Sequence, residues 1–298
     1  MKNKLALRLV ALVLAALVLI TLMVTEPARS ASAHSYYSVD AAYPFVIAHK
    51  GGNGLWPGNT MYAFHHAAAL GVDAIETDVH VSSDGVLVLM HDDRVDYTTN
   101  GSGLIEDMTL ADLKKLDAAY NWTPDNGRVF PYRGMGITVP TLEEAFRASP
   151  TKRFVLDIKR TAAPIESRIC EMIRSYNMED RVVVASLYDD IQIRFRRTCP
   201  EVASSAAFGE VAAHVLAEKC HLDGWILPSY ESLQGPLDPF GVYNSLIVTK
   251  GYIQDAHSRN IKVEPWVNDP VSMKRYIGYG VDGIVTDRPD LLLGLLDR

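Results

Sequence analysis

From residue 45 onward, short apolar runs alternate with stretches whose apolar side chains recur at helical spacing. Phe45–Ala48 is the first run, and a glycine-rich loop follows it. Asn59–Leu70 has helical spacing, with Asn59 or Thr60 placed to cap its start and Gly71 to stop it. Ala74–Val81 predicts a second strand. The turn signal Ser82-Ser83-Asp84-Gly85 then sends the chain back along Val86–Met90. Residues 92–139 break the pattern with Gly, Asn, Asp and aromatics, and read as an insertion.

The alternation resumes after it. Thr141–Ala148 is a helix opened by Thr141 and Glu144 at capping-box spacing. Strands are expected at Phe154–Ile158, Val182–Ala185, Ala203–Ala206, Gly224–Leu227, Lys262–Val267 and Gly283–Thr286. Helices are expected at Pro164–Asn177, Asp189–Thr198, Glu210–Lys219, Thr249–Ser258, Ser272–Tyr279 and Pro289–Leu296. Repeated strand-then-helix units imply parallel strands. Without the return strand there are eight of them, which suits an α/β (β/α)8 TIM barrel of ~250 residues with a small insertion after the second strand. An open doubly wound sheet is the alternative architecture.

The chain before residue 40 belongs to neither pattern. Lys2, Lys4 and Arg8 precede an apolar run from Leu9 to Ile20, and Ala31-Ser32-Ala33 offers a cleavage site. Residues 1–33 therefore read as a signal peptide or as an uncleaved membrane anchor. The barrel domain occupies 40–298, outside the cytoplasm, secreted, periplasmic or tethered to a membrane by its N-terminus. Charge agrees with a soluble domain that takes small ligands. The 298 residues carry 29 Lys+Arg against 36 Asp+Glu, a net charge of −7, which argues against nucleic acid as a partner. Of the three cysteines, Cys170, Cys199 and Cys220, the first pair to test is Cys199–Cys220, since both lie near expected helix ends.

Candidate chemistry follows from strand parity. Side chains two apart on a strand share a face. Glu76 and Asp78 are two apart on the second strand, and Asp157 and Lys159 are two apart at the end of a later one. Inward-facing carboxylates at one end of a barrel stay ionised only beside a cation, and a hard divalent ion with oxygen ligands would serve. Paired or solvated carboxylates and an internal Lys–Asp salt bridge are the structural alternatives. His49 ends the first strand. His91 ends the return strand, where a turn centred on residues 83–84 places it opposite position 76 within a residue or two. Two histidines beside three carboxylates suit acid–base chemistry.

These residues carry a resemblance. His49-Lys50-Gly51, Pro57-Gly58-Asn59-Thr60, Ile75-Glu76-Thr77-Asp78-Val79, Asp84-Gly85 and His91-Asp92 look like the signature of glycerophosphodiester phosphodiesterases. Thr98-Thr99-Asn100-Gly101, Pro140-Thr141-Leu142-Glu143-Glu144, Asp157-Ile158-Lys159 and Gly280–Asp287 continue it to the end of the chain. The resemblance implies a TIM barrel that hydrolyses glycerophosphodiesters, with lysophospholipids as further substrates, to glycerol 3-phosphate and an alcohol. It implies Mg²⁺ or Ca²⁺ on Glu76, Asp78 and Asp157, and His49 and His91 as the acid–base pair. Lys50 and Lys159 would meet the phosphate. Trp266 and Asn268, at the end of the seventh strand, are candidates for substrate contact or for rim packing.

The chain departs from the resembled pattern at three positions. Lys50 stands where the family carries Arg, Gly58 where it carries Glu, and Asp157 where the third ligand is Glu. Asp157-Ile158-Lys159 together with Ile75–Val79 also resembles sphingomyelinase D-like phospholipases, the alternative within the same reaction class. A barrel that binds a phosphate ligand with impaired catalysis is the alternative outside it.

Overall fold

The computed structural model describes residues 34–38, 43–220, 228–235 and 247–298. The N-terminal segment 1–33 and the expected strand Gly224–Leu227 lie outside the described residues. The first strand β1 (Phe45–Ala48) pairs in parallel with β2 (Ala74–Val81) on one side and with the last strand β9 (Gly283–Thr286) on the other. From β2 the sheet continues through β4 (Arg153–Ile158), β5 (Val182–Ala185) and β6 (Ala203–Ser204). A second parallel pair, β7 (Ser232–Gln234) and β8 (Lys262–Glu264), completes the ring. Single bridges join it at both ends, Ser205 to Ser232 and Trp266 to Val285. The barrel's sixth strand is therefore Ser232–Gln234, downstream of the run at Gly224–Leu227.

The return strand β3 (Leu87–Leu89) lies antiparallel on β2, outside the ring. Its register pairs His80 with Val88, so the turn is centred on Asp84 and position 91 falls across from Thr77. The segment that follows builds a small core of its own from Val88, Met90, Val95, Ile105, Leu113, Ala118 and Val139. An insertion can hold an irregular backbone in place when it buries its own apolar cluster.

Helix starts follow the expected caps. Thr60 rather than Asn59 caps α1 (Met61–Leu70), accepting from the N–H of Ala63. Thr141 and Glu144 form the capping box of the helix Leu142–Ala148. Side-chain parity then divides the strands between two apolar regions. Val46, Ala48, Ile75, Val79, Phe154, Leu156, Ile158, Val182 and Val184 face the surrounding helices. Phe45, Ile47, Ala74, Val155, Val183, Ala203 and Val285 fill the barrel with Tyr36, which is fully buried against Phe45 at their N-terminal ends. The parity that buries Ala74 and Val155 carries Glu76, Asp78 and Asp157 inward, one layer after another toward the C-terminal ends.

The cysteine pairing is a correction. Cys170 and Cys199 form a disulfide with 5.6 Å between their Cα atoms, and Cys220 is free and exposed. Cys170 lies within the helix Glu166–Ser175, and Cys199 follows the helix Asp189–Thr198, which packs beside it. Helix-end position along the sequence carried no information about that packing. Only proximity of the two Cβ atoms permits a disulfide.

Candidate active site

The site forms where β1, β2 and β4 end side by side. Asp78 and Asp157 are register partners across the β2–β4 ladder, and Glu76 lies one layer deeper, opposite Val155. One oxygen of each of the three carboxylates lies within 4.8 Å of the others. Glu76 and Asp78 are buried, and Asp157 is partly exposed.

Such crowding strains ionisation, and the surroundings show how it is managed. Burial and the nearby Asp78 charge push Glu76 up to about 7, despite His49 and the N–H of Lys50, which donates to its Oε2 at 2.7 Å. Burial acts on Asp78 in the same direction, but Lys159 and Lys50 outweigh it and hold Asp78 at about 2. The Lys159 ammonium sits 2.8 Å from Asp78 Oδ1 and 2.6 Å from Asp157 Oδ2. Burial alone would lower Lys159, yet the two aspartates raise it, so it is a firm cation. The internal salt bridge considered from sequence is thus present. It leaves Asp157 Oδ1 buried with no hydrogen-bond partner.

That orphaned oxygen bears on the metal question. A buried carboxylate oxygen without a donor is costly. A hard cation between Glu76, Asp78 and Asp157 would satisfy it and offset the charge that one lysine cannot. The three residues fit a divalent cation.

Asn59 fixes the orientation of Asp78. It sits in the left-handed region at φ 55, which asparagine tolerates. Its Nδ2 donates to Asp78 Oδ2 at 2.7 Å, while its Oδ1 accepts from Thr77 Oγ1 at 2.6 Å and from the N–H of Asp78 at 3.2 Å. Sequence reasoning placed Asn59 in a motif and offered it as a helix cap, but assigned it no part in the site. Its place just before a capped helix gave no sign of a reach back to β2.

Both histidines have an acidic partner on Nδ1. His49 Nδ1 lies 2.7 Å from Asp287 Oδ1, and its Nε2 lies 3.9 Å from Glu76. Burial would lower His49, but the Glu76 charge and the Asp287 hydrogen bond raise it above the ordinary histidine range. His91 Nδ1 lies 3.1 Å from Asp92 Oδ1, and His91 remains exposed. Such a partner fixes which nitrogen carries the proton and aims the other outward. The backbone oxygen of His91 is 3.4 Å from the ring of buried His80.

Asp287 is a second residue that sequence reasoning left without a role. It follows β9, and barrel closure sets β9 against β1, which is what brings it to His49. Asn268, a candidate for substrate contact or for rim packing, holds Asp287. Its Nδ2 donates to Asp287 Oδ2 at 2.6 Å, and its Oδ1 accepts from the N–H of Asp287 at 2.8 Å and from Thr286 Oγ1 at 3.1 Å. Trp266 is half-exposed, with its ring edge-on to His49 at 5.8 Å between centroids.

Beside the carboxylates opens a cleft of about 300 Å³. Lys50, Asn53, Gly58 and Asn59 line one wall, and His91, Tyr97, Asn121 and Trp122 another. The indole N–H of Trp122 donates to the carbonyl of Asn53 at 2.8 Å, so the insertion is pinned to the loop after β1. The arrangement brings an acidic cluster that fits a cation, two oriented histidines and a lysine to the same end of the barrel.

Comparison with known proteins agrees with this geometry. A model of the glycerophosphoryl diester phosphodiesterase family matches residues 49–291. A glycerophosphodiester phosphodiesterase of Caldanaerobacter subterraneus subsp. tengcongensis is 34% identical over 259 residues, covering 85% of this chain and 98% of that protein. One from Bacillus altitudinis is 30% identical over 256 residues, covering 82% and 95%. A solved phosphodiesterase of Oleispira antarctica, in complex with the product sn-glycerol-3-phosphate, aligns with a TM-score of 0.65 at 25% identity, over 86% of this chain and 98% of that one. The match begins at His49 and runs past Asp287, so it spans every residue named in the site, and this chain belongs to the glycerophosphoryl diester phosphodiesterase family.

Proposed function

We propose that this protein hydrolyses glycerophosphodiesters to glycerol 3-phosphate and an alcohol, with Glu76, Asp78 and Asp157 holding a divalent cation. The observation that carries the reading is the convergence of these three carboxylates, one oxygen left without a partner, beside two histidines each oriented by an aspartate. Mg²⁺ and Ca²⁺ both suit an all-oxygen donor set. When bound, such an ion supplies Lewis-acid stabilisation of phosphoryl charge.

The residues divide the remaining work. Glu76, Asp78 and Asp157 provide the cation's ligands, and Asn59 keeps Asp78 turned toward them. With its Nδ1 held by Asp287, His49 presents Nε2 for proton transfer. His91, held at Nδ1 by Asp92, presents the equivalent nitrogen from the cleft wall. One takes the proton of the attacking hydroxyl, and the other returns a proton to the leaving alkoxide. Lys50 adds positive charge along the cleft wall.

The chain's setting belongs to the same proposal. A leader at residues 1–33 would export it, either released by cleavage or held at a membrane surface. The Cys170–Cys199 disulfide supports an oxidising compartment. Among the described residues no helix is long and apolar enough to cross a membrane.

The test is product analysis with Mg²⁺ or Ca²⁺ on glycerophosphocholine, lysophosphatidylcholine and sphingomyelin. Release of glycerol 3-phosphate and choline from the first, abolished by His91→Ala at unchanged melting temperature, is the expected result. Turnover of sphingomyelin alone would assign the sphingomyelinase D-like activity instead. No turnover of any phosphodiester would leave a ligand-binding barrel.

A further inference from the structure

The loop after β1 contains a pair of residues whose shapes depend on each other. Lys50 is locked in place by its backbone. It sits at φ 53, its N–H donates to Glu76, and its carbonyl accepts from the N–H of Asn59 at 2.9 Å. Its side chain is left to line the cleft. Asn53 is held just as firmly. Its N–H donates to the carbonyl of His49 at 3.1 Å, and its own carbonyl accepts from Trp122.

The Asn53 side chain also lines the cleft, and it is engaged at one end only. Its Oδ1 accepts from the N–H of Gly58 at 3.3 Å, which leaves the Nδ2 amide without a partner among the described residues. Gly58 is what makes this possible. A Cβ there would stand 2.6 Å from Asn53 Oδ1 and 2.9 Å from the Cβ of Lys50. The φ of Gly58 is not in the left-handed region, so glycine is needed here for space and not for backbone freedom. A side chain at 58 would therefore force the Asn53 amide or the Lys50 side chain to shift along the wall they share.

Lysine attracts phosphate without fixing its orientation. Its ammonium is a mobile point charge, and orienting a tetrahedral phosphoryl group takes at least two donors fixed relative to each other. We infer that Asn53 supplies the second donor: its Nδ2 binds a non-bridging phosphoryl oxygen beside the Lys50 ammonium, and Gly58 is the space that lets it do so. The inference rests on the phosphodiesterase reading of the cleft and adds a directional donor to the charge that reading already supplies. Asn53 binds through a neutral, directional donor, and Lys50 contributes charge. The shared ligand chemistry is the phosphoryl group, not the glycerol.

The test uses the full chain with Mg²⁺ and calorimetric titration of sn-glycerol 3-phosphate and of inorganic phosphate. Asn53→Asp is nearly isosteric and keeps an oxygen for the N–H of Gly58, but it replaces the donor with an anionic acceptor. Affinity for both ligands is expected to fall at least about tenfold with the melting temperature unchanged. Gly58→Ala should weaken both ligands in the wild-type background and add a smaller loss once Asn53→Ala is present, because the part of its effect that passes through the Asn53 amide is then gone and only its contact with the Cβ of Lys50 remains. Wild-type affinity in Asn53→Asp, or additive losses in the double variant, would overturn the inference. A wild-type protein that neither binds these ligands nor cleaves any phosphodiester would instead overturn the reading of the cleft, and this inference with it.

Discussion

His49 Nδ1 and Asp287 Oδ1 stand 2.7 Å apart although 238 positions separate them in the chain. The contact lies where the last strand closes onto the first. The backbone reinforces it, since the N–H of Gly54 donates to the carbonyl of Asp287 at 3.0 Å. Closing the barrel and orienting the histidine are therefore one structural event. Asp287→Asn keeps the shape and removes the charge. We expect kcat to fall about a hundredfold or more with little change in KM. Because the carboxylate helps raise His49, its loss should also move that group's limb of the pH–rate profile to lower pH. An unmoved limb would mean that Asp287 serves closure alone.

The three-carboxylate cluster makes a separate demand. Asp157 is the carboxylate of the cluster with the unpartnered oxygen, so on the proposed reading its removal takes away a donor that no protein group replaces. Asp157→Ala should lose at least about tenfold in Mg²⁺ or Ca²⁺ affinity by calorimetry. Chelation of the wild type should abolish turnover, and added cation should restore it. Unchanged cation affinity in the variant would place the ion elsewhere.

Inside the barrel, away from the site, Glu264 is fully buried. It accepts from Tyr37 Oη at 3.2 Å and from Gln234 Nε2 at 2.7 Å, and its Oε1 is unpartnered. Burial pushes its carboxyl from an ordinary 4.5 up to about 7. The folded protein then holds a proton that the unfolded chain has released between those values. Stability from this group is fully present below about 4.5, falls as pH rises through the window, and levels off above about 7. The total loss is on the order of 3 kcal/mol. Glu264→Gln should flatten this slope in denaturant titrations at pH 5 and pH 8 and melt higher than wild type at the upper pH. Parallel curves for the two proteins would sink the assignment.

The disulfide sits on the outer helices, away from the cleft. Cys170–Cys199 closes a loop with a sequence separation of 29, and restricting an unfolded loop of that length stabilises by about 3.6 kcal/mol. Cys170→Ser should lower stability by about that amount in urea titration while leaving kcat unchanged at temperatures where it is folded. A loss of activity in the folded variant would show that the helix pair reaches the site.

The local pattern of the chain determined a good deal. Strand periodicity put Glu76 and Asp78 on one face, and Asp157 with them, because alternation along a strand is intrinsic to an extended backbone. The turn at Asp84 placed His91 beside β2 by counting residues, since a hairpin's register is set by its own turn. The capping box at Thr141 and Glu144 was equally local. What tertiary structure alone decided are the contacts between elements. Asp287 on His49, Asn268 on Asp287, Asn59 on Asp78 and Cys170 with Cys199 all join segments whose separation in sequence says nothing of their separation in space. The strand at Ser232–Gln234 belongs with them, because three residues carry too little periodicity to be read and gain their place only by pairing with β8 and meeting Ser205. Side-chain direction is a property of a few adjacent residues, whereas the partner it meets is set by how the barrel closes.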